Sequence, residues 1–196
     1  MIVTPTSAPT SVDKILTAAT SIAQAHGYGG LNLRALAEQV GIKAGSLYHH
    51  FPSKADLAAA VARRYAEDSA AVLEALAAEA GGPEAALRAY PQTFRRSLEN
   101  DNRMCLCSFM AAEYDDLPSA VQQEIQGFAQ VNVAWLARML EAAGMTDSEQ
   151  ARQRASAIFA AVSGAQLMAR GRADIALFDT VIENYRAAGI FSAPVR

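Results

Sequence analysis

One short stretch concentrates the side chains of this chain that could do chemistry. Between residues 43 and 54 it holds ammonium, hydroxyl, phenol and imidazole groups, at Lys43, Ser46, Tyr48, His49, His50 and Lys54. These groups donate hydrogen bonds, and the two lysines carry positive charge at neutral pH. Donors of this kind bind the edges of bases and the oxygens of phosphates. The stretch is therefore a candidate contact for nucleic acid.

A second candidate for chemistry is the pair Cys105 and Cys107, the only cysteines of the chain. Their C-x-C spacing does not predict a zinc site, because zinc needs further ligands and the three histidines all lie at positions 26, 49 and 50. No metal or cofactor is expected. A disulfide between the two is unfavourable within a helix, since side chains two residues apart diverge. Two interpretations stay open: both are small buried residues, or Cys105, near a helix start and beside Arg103, is an activated thiol that reacts with electrophiles.

The elements that must position the first stretch are two short helices joined by a tight turn. Apolar residues at positions 33, 36, 37 and 40 follow the spacing of one helix face. Asn32 is placed to cap this helix, and Gly41 to end it in a left-handed conformation. A second helix is predicted over 44–50, and Ser53 with Asp56 predicts the capped start of a longer one. This layout is typical of a helix-turn-helix.

Four pieces of the sequence around this layout form a recognisable set: Gly41-Ile42, Gly45-Ser46-Leu47-Tyr48, Phe51-Pro52-Ser53-Lys54 and the preceding helix 12–27. In these pieces the chain resembles the N-terminal domain of TetR/AcrR-type transcriptional regulators. The resemblance implies a three-helix DNA-binding head on a helical body, in a homodimer that binds double-stranded operator DNA. It implies DNA contacts at Arg34, Ser46, Tyr48, His49 and Lys54. The segment at Cys105 is similar to a Gly-Cys-Leu segment through which some family members sense electrophiles, with Met104 in place of the glycine.

Two kinds of DNA contact can be assigned to the helix-turn-helix. Base readout is expected from the exposed face of the second helix near its N-terminus, at Lys43, Ala44, Ser46, Tyr48 and His49. Phosphate contacts are expected from Asn32 and the free N–H groups behind it, with Arg34, His50 and Lys54. The alternatives are that His50 packs beside Phe51 and that Tyr48 covers the core of the head.

Composition favours an all-α globular protein. The 196 residues are 52% hydrophobic, rich in alanine and poor in β-branched runs. No apolar stretch approaches the roughly 18 residues of a membrane helix, and no secretory signal is visible, so a cytoplasmic protein without membrane contact is expected. Residues 1–65 hold six basic and three acidic side chains, whereas the remainder holds 11 and 17. A basic head on an acidic body suits phosphate contact by the head alone.

The pattern divides the chain into an arm and two domains. Residues 1–10 are expected to form a flexible arm, 11–57 the helix-turn-helix domain, and 58–196 the ligand-binding and dimerisation domain. Breaks such as Gly81-Gly82-Pro83 separate the predicted helices. About nine helices are predicted in all, with those beyond the head at 53–80, 84–99, 103–115, 118–143, 147–170 and 174–188.

The last two predicted helices carry candidate contacts between two copies of the chain. Helix 147–170 bears a strip of very small residues, which permits close approach of two helix axes, and helix 174–188 bears an apolar face. The resemblance implies that both belong to a four-helix bundle across a two-fold axis. The expected interface residues are Ala157, Ala161, Gly164, Met168, Phe178, Ile182 and Tyr185. The alternative is that both faces pack within their own domain.

A polar residue, Asn132, interrupts the apolar stripe of helix 118–143. A buried amide needs a partner, which could be a ligand, a water or a neighbour such as Gln166. An aromatic and methionine-lined cavity is therefore a candidate ligand site. Its expected lining is Phe94, Cys105, Met110, Tyr114, Phe128, Asn132, Trp135, Phe159 and Gln166. Each of these residues could equally be ordinary core.

Together these patterns predict a ligand-responsive transcriptional regulator, most simply a repressor, that binds a palindromic operator as a dimer. A small apolar or electrophilic effector would release it by favouring a body conformation that moves the two heads off their spacing. Two alternatives stay open. One is a thiol-dependent all-helical enzyme, although no histidine stands near the cysteines and an enzyme is not expected; the other is a DNA-binding protein without a ligand.

Overall fold

Ten α-helices form the part of the chain that this computed structural model describes, residues 10–192. They are α1 (Ser11–His26), α2 (Leu33–Val40), α3 (Ala44–His50), α4 (Lys54–Glu79), α5 (Pro83–Ala89), α6 (Pro91–Glu99), α7 (Leu106–Ala111), α8 (Ser119–Ala142), α9 (Ser148–Arg172) and α10 (Ile175–Ala187). A short 3₁₀ helix, Tyr114–Asp116, lies between α7 and α8. No strand occurs between residues 10 and 192, and the all-α prediction is confirmed.

Two of the helices predicted beyond the head differ from the structure by more than two residues at an end. The helix predicted over 84–99 occurs as α5 and α6, because Pro91 has no backbone N–H to continue α5 and instead begins α6. The helix predicted over 103–115 is reduced to the six residues of α7. Cys105 precedes it with a ψ of 123°, and Glu113 follows it with φ of −102° and ψ of 21°, so the backbone leaves the α-helical region on both sides.

The head is built from α1, α2 and α3 around a small apolar core. Ile15, Leu36 and Leu47, one from each helix, are completely buried in it. Leu57 of α4 is also completely buried and belongs to the same core. Thr10 begins the head rather than ending an arm, since its hydroxyl accepts the backbone N–H of residue 13 in the capping box of α1. The other residues of the arm predicted over 1–10 lie outside the described part.

The long helix α4 belongs to both the head and the body. Its 26 residues begin beside α1 and continue along α8. In the body α8 lies between α4 and α9, and α9 also packs against α6 and α10. Among residues 10–192, no helix is both long and apolar enough to cross a membrane.

Candidate functional site

The helix-turn-helix presents one polar face to solvent. Asn32 caps α2, because its Oδ1 accepts the backbone N–H groups of Arg34 at 3.0 Å and Ala35 at 3.1 Å. Gly41 ends α2 with a φ of 76°, a conformation that glycine adopts without steric cost. Leu47 is fully buried beneath α3. The opposite side of α3 therefore faces outward.

All the side chains predicted to read bases lie on this outward side. The exposed residues are Lys43, Ala44, Ser46, Tyr48 and His49. Tyr48 is 42% exposed, so it does not close the core of the head, as the alternative interpretation required. The helix α3 and its N-cap Lys43 thus offer ammonium, methyl, hydroxyl and imidazole groups together, and groups of this kind can bind base edges in a major groove.

The side chains predicted to contact phosphates differ in their exposure to solvent and in the hydrogen bonds that they already form. Arg34 and His50 are exposed, and the His50 ring lies 6.4 Å from the Phe51 ring without being covered by it. Lys54 is half-buried and already has partners within the head. Its Nζ donates to the backbone carbonyl of residue 29 at 3.2 Å and lies 4.4 Å from the ring centroid of Tyr28. The Oδ1 of Asn32 is occupied by the cap, which leaves its Nδ2 and the backbone for a phosphate.

Three polar contacts hold the C-terminal half of α1 against the body. In each, a side-chain N–H donates to a backbone carbonyl across the boundary between α1 and the segments around α7 and α9. The donor and acceptor pairs are Gln24 with Met104, Arg103 with Ser21, and Arg170 with Ala25. The first of these is buried, with a distance of 3.2 Å. A displacement of the body at this boundary would therefore be transmitted to α1.

The two buried amides of the body have protein partners. The Oδ1 of Asn132 accepts the hydroxyl of Tyr90 at 2.9 Å, and its Nδ2 donates to the backbone carbonyl one turn earlier. Gln166 donates to the carbonyl of Phe94 at 2.6 Å and accepts the N–H of Cys105 at 3.0 Å. Because both amides have protein partners, neither needs a ligand to satisfy it, and the structure favours a structural role for Asn132 and Gln166 over the predicted ligand contact.

A cleft of about 250 Å³ lies between α7, α8 and α9. Two predicted ligand residues, Phe128 and Phe159, form part of its wall. The other residues of the wall are Cys107, Ser108, Ala111, Ile125, Ala129 and Ser163. The Oγ of Ser163 is buried and has no hydrogen-bond partner among the described residues. A mostly apolar cleft with one unsatisfied hydroxyl suits a small apolar molecule that carries a hydrogen-bonding group.

The remaining residues of the predicted pocket lie elsewhere. Phe94, Cys105 and Met110 are buried in the core without reaching the wall of the cleft, and Tyr114 is 40% exposed at the surface. Trp135 lines a separate groove of about 290 Å³ between α4 and α8, where Arg138 and Glu74 form an ion pair. The large aromatic residues therefore fill the core more than they surround a cavity.

Small residues of the cleft wall are absent from the predicted pocket. Ala111, Ala129 and Ser163 stand four residues after Cys107, Ile125 and Phe159, so each pair covers one turn of the same helix face. That spacing is a signal that the sequence contains. The prediction overlooked it because it favoured large apolar side chains, whereas a cavity forms where the side chains are small.

The two thiols are buried, and burial opposes their ionisation. Cys105 is 2% exposed and Cys107 is 1% exposed. Burial raises the pKa of both thiols, so the reactive thiolate is disfavoured at neutral pH. Arg103 does not offset this effect, since its guanidinium points to α1 and donates to the carbonyl of Ser21. The structure thus favours the interpretation of small buried residues over that of an activated Cys105.

The predicted dimer surface needs a correction in α10. Phe178 and Ile182 are 1% and 2% exposed, because they pack into the protomer's own body and are unavailable to a partner. On α9 the predicted residues do face outward: Ala157 and Gly164 are exposed, Ala161 is half-buried, and Met168 is 54% exposed. The neighbouring Leu167 is 60% exposed. Tyr185 of α10 is half-buried.

Two family models match the chain. Residues 15–61 match a model described as bacterial regulatory proteins, tetR family. Residues 83–184, more than half of the chain, match the C-terminal domain of LmrA/YxaF-like transcriptional regulators. No curated protein is significantly similar to the chain.

Solved structures share the fold over nearly the whole length. A TetR transcriptional regulator from Legionella pneumophila is 26% identical, with 96% of this chain and 99% of that chain covered and a TM-score of 0.84. A TetR-family regulator from Agrobacterium tumefaciens is 29% identical, with 91% and 96% covered and a TM-score of 0.82. FadR from Bacillus subtilis, solved in complex with stearoyl-CoA, is 16% identical, with 93% and 98% covered and a TM-score of 0.66, and it shows likeness of fold alone.

Proposed function

The chain belongs to the TetR family of bacterial transcriptional regulators, and from this premise we propose that it is a dimeric repressor of a palindromic operator, released by a small apolar effector. One observation carries the DNA-binding part of the proposal. Leu47 anchors α3 from below, while five polar or small side chains predicted to read bases face outward together. A dimer would present two such faces to successive major grooves, about 34–36 Å apart.

The operator can be found before any regulated gene is identified. The purified protein is mixed with a library of random duplexes, and the retained DNA is amplified and sequenced over several rounds. We expect two inverted half-sites whose centres are about one helical turn apart. Ser46→Ala should relax the preference at one base position of each half-site, since a serine hydroxyl of the recognition helix reads base edges. Retention of unrelated sequences only, at every salt concentration, would contradict the proposal.

The cleft between α7, α8 and α9 is the proposed effector site. Its volume of about 250 Å³ falls below the roughly 300–1,000 Å³ of typical ligand pockets, which argues for a small effector. The groove beside Trp135 is a weaker candidate, because charged Glu74 and Arg138 belong to its wall. FadR of the same fold holds stearoyl-CoA, a ligand that joins a long apolar acyl chain to a charged CoA group, so this architecture accommodates an apolar chain in at least one other protein. TetR-family regulators typically bind small-molecule effectors.

A cavity-filling substitution tests this assignment. A panel of small apolar compounds is screened for those that raise the melting temperature and release the selected operator. Ala129→Leu places extra carbons in the wall of the cleft and should abolish both effects while leaving operator binding intact. The matched control is Ala120→Leu, on the exposed side of the same helix. If Ala129→Leu still responds to the active compounds as Ala120→Leu does, the effector binds elsewhere.

Covalent sensing and thiol catalysis both receive little support. Each requires a thiolate, whereas burial raises the pKa of Cys105 and Cys107. A DNA-binding protein without an effector is the other alternative. It would be favoured if no compound in the panel shifted the melting temperature of the wild-type protein.

A further inference from the structure

The turn that follows α1 has two backbone N–H groups without a partner inside the head. Gly27 ends α1 with a φ of 65°, and the N–H groups of the next two residues, Tyr28 and Gly29, form no backbone hydrogen bond among the described residues. A carboxylate from the body accepts both of them. The Oε2 of Glu113 lies 2.7 Å from the Tyr28 nitrogen, and its Oε1 lies 3.4 Å from the Gly29 nitrogen.

The backbone at Gly27 is shaped to admit this carboxylate. A Cβ atom on residue 27 would lie 2.2 Å from the Oε2 of Glu113, far inside van der Waals contact. Any side chain at this position would therefore expel the carboxylate. Together, Gly27, Tyr28 and Gly29 form a cradle that joins the head to a residue 85 positions further along the chain.

The other side of the same turn holds Lys54. The carbonyl of Gly29 accepts the Nζ of Lys54 at 3.2 Å, and the Tyr28 ring lies under the ammonium at 4.4 Å. An ammonium has three donors, so two remain for an additional acceptor such as a phosphate oxygen. Ordering a long flexible side chain before it binds removes part of the entropic cost of the contact.

We infer that Glu113 is a positioning residue for DNA binding: it fixes the Tyr28–Gly29 turn, and the turn holds the ammonium of Lys54 where a DNA phosphate can reach it. The inference rests on the proposed DNA-binding function. It assigns a role in DNA contact to a residue of the body that touches no DNA itself. Glu113 acts on the turn through its hydrogen bonds to the N–H groups of Tyr28 and Gly29. The turn acts on Lys54 through the Tyr28 ring and the Gly29 carbonyl.

The position of Glu113 also ties the turn to the cleft. Glu113 lies two residues after the end of α7, and its backbone N–H donates to the carbonyl of Met110 at 2.9 Å. At the opposite end of α7, the carbonyl of Met104 accepts the side chain of Gln24 from α1. The helix that supplies Cys107, Ser108 and Ala111 to the cleft is therefore fastened to the head at both of its ends.

A double-mutant cycle tests the inference and requires neither the operator nor the effector. Wild type, Glu113→Gln, Lys54→Ala and the double variant are compared by filter binding to a random-sequence duplex of about three helical turns, across a salt series. Glu113→Gln should weaken binding by about fivefold and reduce the salt slope by about 0.9 per protomer, the loss of one phosphate contact. Lys54→Ala should do the same, and the double variant should be no worse than Lys54→Ala alone.

Whether Glu113→Gln weakens or tightens DNA binding distinguishes a positioning role from a purely electrostatic one. Removing a negative charge from a DNA-binding protein should tighten binding if charge alone mattered. The matched control is Asp115→Asn, an exposed carboxylate two residues away, which should leave binding unchanged or slightly tighter. If Glu113→Gln behaves like Asp115→Asn, or if the losses of Glu113→Gln and Lys54→Ala add, the inference is overturned.

A second measurement examines the turn in the absence of DNA. Amide hydrogen exchange at Tyr28 and Gly29 should accelerate in Glu113→Gln, while exchange in the core of the head and the melting temperature stay close to those of wild type. Unchanged exchange at both amides would also overturn the inference. Failure of the wild-type protein to bind any duplex would instead refute the proposed function, and the exchange result would still decide whether Glu113 holds the turn.

Discussion

At the scale of single residues, Asn132 shows how a buried polar group can mislead a search for ligand sites. An amide within an apolar stripe must have a partner, and the sequence states this requirement clearly. It does not state which partner satisfies it. Tyr90 lies 42 residues earlier and supplies the hydroxyl, so the contact depends on how α5 meets α8. Local spacing contains no information about such a distant pairing.

The Tyr90–Asn132 pair should be measurable as a coupled contribution to stability. Asn132→Leu leaves the Tyr90 hydroxyl buried and unpaired, which should lower the free energy of unfolding by about 1–3 kcal/mol. Tyr90→Phe should cost a similar amount, and the double variant should lose less than the sum. Thermal melting followed by circular dichroism, at one protein concentration, provides the measurement. Tyr48→Phe on the exposed face is the control and should melt like wild type.

The buried thiols predict a specific loss of stability at alkaline pH. Burial raises the pKa of Cys105 and Cys107 in the folded state, so the folded protein retains thiol protons that the unfolded chain releases near its ordinary pKa of about 8.5. The stability that the two protonated thiols contribute is thus fully present below this value, and it is lost as pH rises toward their raised folded-state pKa. We expect the melting temperature of wild type to fall more steeply above this pH than that of a Cys105→Ala, Cys107→Ala variant. Parallel curves for the two proteins would contradict the assignment.

At the scale of helices, the spacing of apolar residues predicted where the helices lie better than it predicted which surface packs against each of them. The spacing of Leu36 and Leu47 correctly identified the inner faces of α2 and α3, because a helix-turn-helix has only one core to face. The spacing of Phe178 and Ile182 identified an apolar face of α10 just as well. That face meets the protomer's own body, whereas the dimer interpretation required a partner. Periodicity shows that a face is apolar but not which of two available surfaces covers it.

The exposed strip on α9 should be what joins two protomers. Leu167 and Met168 are adjacent and are 60% and 54% exposed, and a contiguous exposed apolar patch is typical of a surface that another protein covers. Leu167→Glu with Met168→Glu should convert the proposed dimer to a monomer in sedimentation experiments and weaken binding to the proposed operator. Val72→Glu on α4, also an exposed apolar residue, is the matched control and should leave the dimer intact.

A core residue of α10 should respond differently. Phe178→Ala removes a side chain buried within the protomer and should lower its stability by about 3–5 kcal/mol. The dimer should persist wherever the protomer remains folded. Dissociation of a fully folded Phe178→Ala protein would show that α10 faces the partner after all.

At the scale of the whole molecule, composition and charge indicated the class correctly, since these quantities do not depend on which side chains meet. Alanine richness predicted a helical protein, and the basic head fits the exposed polar face of α3. The long helix that leads from the head into the body was predicted, as the helix over 53–80. The polar contacts between α1 and the body were not predicted. In these contacts side chains donate to backbone carbonyls and Glu113 accepts backbone N–H groups, and such contacts have no signature in the residue sequence.

These contacts predict that the head and the body unfold as one unit. Arg170 donates to the carbonyls of Ala25 and Asn102 and lies 4.9 Å from the ring centroid of Phe109. Calorimetry of the wild type should show a single transition, and Arg170→Ala should allow the head to melt at a lower temperature than the body. The control is Arg172→Ala, an exposed arginine of the same helix. If the calorimetric profile of Arg170→Ala matches that of Arg172→Ala, the other contacts between head and body are sufficient to make them unfold together.

The chain has one tryptophan, and its position makes it an intrinsic optical reporter. Trp135 stacks on Tyr90 with 5.8 Å between ring centroids and an interplanar angle of 22°, in the groove that α8 forms with α4. Any swing of α4 relative to α8 would alter the surroundings of the indole and therefore the intensity and colour of its emission. Rearrangement of the regulator could then be followed in real time by fluorescence, without attaching a dye.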